Sequence, residues 1–125
     1  MARSLDSLTA YERHRAAFAA MLDERKWPIT WLDEEITSGR ATAFGNEHGC
    51  IIAALRQYPG GLIEIHGLAA TGNLHGIARL IVEAERWGQS HGATVASIAS
   101  RRGWARVLKS AGYEEAQVMI EKEIS

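Results

Sequence analysis

The stretch TGNLHGIARLI, Thr71 to Ile81, sits where one kind of structure gives way to another. An apolar run, LIEIHGL, ends just before it, and an amphipathic pattern begins inside it. Ile77, Leu80, Ile81, Ala84 and Trp87 recur at i, i+3, i+4, i+7 and i+10, while Arg79, Glu83, Arg86 and Gln89 take the opposite face. That spacing predicts a helix with one side for a core. Gly72, Asn73 and Gly76 lie at its start, where unpaired backbone N–H groups and the positive end of the helix dipole gather. Asparagine is a good N-cap, and glycine lets a backbone or an anion approach without a Cβ in the way. The residues alone leave two readings open: a capped, flexible turn, or an anion site at a helix start.

Upstream, Thr9 and Glu12 have capping-box spacing. Leu8, Tyr11, Phe18 and Leu22 then predict a first helix over residues 5–25. KWPIT interrupts it at Pro28, and Thr30 is placed to cap a second short helix, WLDEEITSG, that stops at Gly39. ATAF and CIIAALRQY are β-like, with hairpin-loop residues in GNEHG between them. YPGG turns the chain again before LIEIHGL, the third strand. Downstream, the long helix stops near Gly92 and TVASIAS predicts the next strand. RGWARVLKSAG predicts a short helix closed by Gly112, and AQVMIEKEI a final strand. The strand–helix–strand unit from Leu62 to Ser100 is long enough for a right-handed crossover between parallel strands. The expected fold class is therefore α/β (α+β): a mixed, mostly antiparallel sheet with a central parallel βαβ unit and helices on both faces, as one domain over residues 1–125.

With 46% hydrophobic and 23% charged residues the chain is a globular sequence, not a disordered one. A net charge of −1 supplies no broad field for nucleic acid or an anionic membrane. The single cysteine, Cys50, has no internal disulfide partner, which suits a reducing compartment. MARSLDSLTAYERHR lacks the apolar core of a signal peptide, and CIIAAL is far short of a membrane span. The expectation is a cytoplasmic protein.

Glu64 and His66, on the strand before the turn, are the candidate catalytic pair. A histidine near neutrality is suited to take a proton from an ammonium, while the structural alternative is a hydrogen-bonded His beside a solvated Glu. His14, His48 and His91 show no metal-ligand spacing, and neither H-E-x-x-H, paired C-x-x-C nor G-x-S-x-G occurs, so no metal is expected. Arg101, Arg102, Arg106 and Lys109, with Trp104 among them, admit three readings: a phosphate contact, aromatic stacking on nucleic acid, or a solvated helix face.

The order of elements, with a glycine-bearing turn before the long helix, resembles the GNAT superfamily of acetyl-CoA-dependent N-acyltransferases. There the turn carries Gln/Arg-x-x-Gly-x-Gly/Ala, whose N–H groups hold the pyrophosphate of coenzyme A. NLHGIA matches at Gly76, Ile77 and Ala78, with Asn73 in the first position. The resemblance implies acetyl-CoA as cofactor, held by Asn73, Leu74, His75, Gly76, Ile77 and Ala78, with Arg101 toward the 3′-phosphate. A second family pattern, Asn-x-x-Ala-x-x-x-Tyr-x-x-x-Gly-Phe, is met only at Gly112-Tyr113. Arg101 stands for its Asn, Trp104 for its Ala and Leu108 for its Tyr. That Tyr commonly protonates the departing thiolate, which a leucine cannot do, and an indole at position 104 can plug the pantetheine slot. The resemblance thus implies a degenerate GNAT-like domain of weak or no activity toward an amine acceptor. The alternative it implies is a non-catalytic partner of other proteins, like the small GNAT-like products of phages and prophages that serve the virion or its assembly. Oligomeric state is left open.

Overall fold

The computed structural model describes residues 2–100 and 102–124. Its elements run α1 (Ala2–Met21), α2 (Ile29–Thr37), β1 (Thr42–Asn46), β2 (Gly49–Gln57), β3 (Ile63–Gly72), α3 (Leu74–Ser90), β4 (Val95–Ile98) and α4 (Arg102–Leu108), with a 3₁₀ turn over Lys109–Ala111. The sheet order is β1-β2-β3-β4. The first two pairings are antiparallel and β3 with β4 is parallel. The mixed sheet and its βαβ crossover are as the hydrophobic periods require, with helices on both faces.

Each face has its own core. On one side Ile77, Leu80, Ile81 and Ala84 of α3 pack on Phe44, Ile51 and Ile65. On the other, Tyr11 and Phe18 of α1 and Leu32 and Ile36 of α2 pack on Ala43, Cys50 and Ile52. Phe18, Leu32 and Ile52 are completely buried, and each such side chain stabilises by roughly 1.5–3 kcal/mol. Polar atoms join α1 to the sheet edge: Ala43 N–H donates to Ser7 Oγ at 2.8 Å, and His14 Nε2–H to the Asn46 carbonyl at 2.7 Å. Arg15 grips Asp33 of α2 through two bonds of 2.8 and 2.7 Å, and Tyr11 donates to the same carboxylate at 2.5 Å.

Three local expectations are corrected. Thr9 and Glu12 lie inside α1, which runs to Met21 rather than residue 25; the helix is already formed at Ser7, where the sheet edge anchors it. Pro28, not Thr30, caps α2, because its fixed φ and extended ψ turn the chain into the helix without a side-chain bond. The expected last strand is absent: residues 113–124 have no regular structure. Val118, Met119, Ile120 and Ile124 are 64–91% exposed, and Glu121 in the same segment pairs with Lys26 at 2.8 Å on the surface. Alternation makes a segment able to form a strand, but a ladder partner must also be in reach. The parallel pair consequently lies at the edge of the sheet.

Candidate functional site

The junction from Gly72 to Ile77 is a capped helix start. Asn73 is extended (φ −83°, ψ 155°), and its Oδ1 accepts from Gly76 N–H at 2.9 Å. Ile77 N–H donates to the Asn73 carbonyl at 3.0 Å, and Asn73 N–H to His48 O at 3.2 Å. The N–H groups of Leu74 and His75 meet no acceptor among the described residues, and both residues are exposed. Both glycines are explained by the chain itself. Gly72 has φ +119°, and a Cβ there would lie 2.2 Å from His48 O. A Cβ on Gly76 would lie 2.5 Å from His48 Cβ. The two-residue β1–β2 turn, fixed by Asn46 Oδ1 accepting from His48 and Gly49 N–H, therefore seats directly on the start of α3. What the glycines admit is the hairpin, and the two donors left open lie one and two residues after the cap.

Beside this junction the sheet splits. β4 pairs with β3 only over Glu64–Gly67, ending at Ile98 against Gly67, while β3 continues to Gly72 against β2 alone. Opposite Ile52/Ala53 the register slips so that Leu68 is an extra residue, a bulge that re-aims the strand where the split begins. The resulting crevice, at the carboxyl ends of the two parallel strands, has a volume of about 480 Å³. Gly67, Ala70, Ile77, Ile98 and Trp104 are among its mostly apolar walls. Size, apolar lining and position are those of a small-molecule site in an open sheet.

Behind one wall lies a buried polar group. Glu64 and His66 are 7% and 8% exposed. Tyr58 Oη donates to Glu64 Oε2 at 3.0 Å, with Arg56 Nη1 3.8 Å from the same oxygen. His66 Nδ1 is 2.7 Å from Ser97 Oγ of β4, its register partner. Burial first, and then the Arg56 charge, push the His66 imidazole below its ordinary value, against a smaller opposing pull from Glu64. It is held neutral, and so able to accept a proton. Ser97 lines the crevice, whereas Glu64 and His66 do not.

On the opposite wall, Leu108 is buried in the core that α3 shares with the sheet. Trp104 is half-buried and lines the crevice with Tyr113, whose hydroxyl donates to Glu85 Oε2. Burial and that carboxylate both push the Tyr113 phenol upward. Arg106 and Lys109 are exposed, while Arg101 lies outside the described residues. Of the residues expected to hold a cofactor, Ile77 lines the crevice, while Leu74, His75 and Ala78 are exposed and are not part of its lining; Glu64 and His66 do not line it either. Sequence reasoning passed over Ser97, Glu85 and Tyr113's hydroxyl. Only strand register brings Ser97 opposite His66, and no local pattern encodes it. Among the described residues no cluster of metal-binding side chains occurs, and no helix is long and apolar enough to cross a membrane.

No protein-family model matches the sequence, and no curated protein sequence matches it. Solved structures do. An acetyltransferase of Trypanosoma brucei superposes with a TM-score of 0.66 at 9% identity, covering 95% of this chain and 94% of its own. The aminoglycoside N-acetyltransferase AAC(6')-Iy, in complex with CoA, gives 0.58 at 17% identity over 74% of this chain and 83% of its own. A Clostridium acetobutylicum structure with acetyl-CoA gives 0.62 at 8% identity over 82% and 76%. The fold is that of the GNAT acetyltransferases. At these identities the likeness is one of architecture.

Proposed function

We propose that the domain binds acetyl-CoA in the crevice between β3 and β4 and transfers the acetyl group to an amine at low turnover. The observation that carries this reading is the pair of open N–H donors, Leu74 and His75, on the turn whose Ile77 lines the crevice. Two amides and a helix dipole suit a diphosphate, and the apolar walls suit the uncharged pantetheine arm. Bound acetyl-CoA supplies an activated acyl group. Within the Asn73–Ala78 turn the open N–H groups of Leu74 and His75 would hold its phosphates, with Arg101 a further proposed contact. Neutral, buried His66 accepts the proton, with Glu64 the other candidate. Turnover is low because Leu108 offers no proton to a leaving thiolate and Trp104 narrows the slot. The neighbours solved with CoA and acetyl-CoA support the same reading.

Leu74→Pro tests it by calorimetric titration with acetyl-CoA. Leu74 is the first helical residue, a position where proline is favoured and its missing N–H costs the helix nothing. Extended Asn73 accommodates a following proline. Loss of one hydrogen bond to a charged group, about 1.5–3 kcal/mol, should weaken binding roughly tenfold or more with stability kept. Wild-type protein that takes up no acetyl-CoA would end the proposal. A second reading, a non-catalytic interaction domain such as a virion or assembly component, is favoured by the exposed Val118, Met119, Ile120 and Ile124.

A further inference from the structure

The two edges of the sheet are finished differently. At β1 the edge meets α1: Ala43 N–H donates to Ser7 Oγ at 2.8 Å, and the Asn46 carbonyl accepts from His14 at 2.7 Å. At β4 no such cover exists among the described residues, for Val95–Ile98 has no backbone partner except β3. An uncovered edge is a row of N–H and C=O groups ready to take up another strand. The same chain carries a strand-like segment without a ladder. In Ala116–Ile124, Val118, Ile120 and Ile124 share one row with Lys122, and Gln117, Met119, Glu121 and Glu123 form the other. Val118, Ile120 and Ile124 are 64%, 90% and 91% exposed. This tail forms no ladder with its own β4. Its glutamate row is tied instead to the α1–α2 connection, Glu121 with Lys26 at 2.8 Å and Glu123 with Arg25 at 3.6 Å.

We propose that two copies of the chain exchange these segments, residues 116–124 of each adding a strand to the β4 edge of the other. The occupant is a second copy because one chain holds both halves, a free edge and a free strand. Reciprocal exchange about a two-fold axis satisfies both at once. Alternation gives the added strand two distinct faces. Val118, Ile120 and Ile124 extend the apolar surface of Ala96 and Ile98, which pack against the α3 core. The opposite row keeps its glutamates in water. Each copy contributes only its tail and the four residues of β4, less than the roughly 20–30 residues a side of a standard interface. The dimer is therefore concentration-dependent. No ligand enters the pairing, which stands apart from the function proposed above.

Sedimentation velocity over a dilution series, with amide hydrogen exchange on the same samples, tests the exchange. Wild-type protein should pass from one chain mass to two as concentration rises. The amides of residues 116–124 should slow by about 10-fold or more in the concentrated sample. Met119→Pro with Ile120→Pro removes two successive N–H groups, so whichever row faces β4 loses a donor. The segment has no regular structure in the single chain, so circular dichroism should be unchanged while association weakens at least about tenfold. Val118→Lys with Ile120→Lys should act likewise, by placing charge on the apolar row. Wild-type protein that stays monomeric up to about 1 mM overturns the proposal. A dimer that survives both pairs of substitutions also overturns it, since its interface lies elsewhere. So does protection of the tail in a monomer, which puts the strand on its own β4.

Discussion

Gly76→Ala separates two reasons for a glycine at the start of α3. A Cβ there would fall 2.5 Å from His48 Cβ and 3.5 Å from His48 C and from Asn73 Oδ1. The first contact is far inside van der Waals distance, so the β1–β2 turn and the helix start must move apart. Overpacking of this kind costs about 1–3 kcal/mol. Replacing glycine in a helix returns at most about 1 kcal/mol. The net expectation is a destabilisation of roughly 0.5–2 kcal/mol, or a melting midpoint lower by about 2–8 °C. Urea and thermal unfolding of a double-mutant cycle with His48→Gly, which removes the opposing Cβ, supply the decisive comparison. In that background Gly76→Ala should be neutral or stabilising. An equal loss of stability with and without His48 would refute the packing argument. No loss in either, with acetyl-CoA binding abolished, would mean the glycine serves ligand approach.

Three further outcomes are expected. His66 is held neutral by burial, so the unfolded chain binds that proton more readily. Stability is then full above about pH 6.5 and falls as pH drops below it; denaturant midpoints measured across this range should show the fall, and His66→Asn should flatten it. Cys50 is fully buried, with its thiol pushed up to about 12 by burial. It should resist a disulfide reagent at neutral pH and react on unfolding, whereas fast labelling of folded protein would contradict its place in the core. Trp104→Ala should lower stability by less than the 3–5 kcal/mol typical of a fully buried tryptophan, since Trp104 is only half-buried. It should also strengthen acetyl-CoA binding by calorimetry; weaker binding would show that the indole is a wall the ligand uses.

The residues by themselves determined the succession of elements from α1 to α4. The helical spacing of Ile77, Leu80, Ile81 and Ala84, the alternating strands, and the turn chemistry of GNEHG and YPGG are interactions between near neighbours. They survive whatever the rest of the chain does. The crossover after LIEIHGL was likewise long enough to let β3 and β4 run parallel, as they do. Asn73 could be read as a cap because the donor to its side chain, Gly76 N–H, is three residues away. Tertiary structure decided what depends on distant partners. AQVMIEKEI has the alternation of a strand yet joins no ladder, because pairing is a property of two segments. Gly72 and Gly76 carry the same letters for a ligand's approach as for a hairpin's, and only the position of His48 distinguishes them. Ser97 met His66 through the register of two strands separated by a whole helix. A one-residue slip would have turned that hydroxyl to the other face.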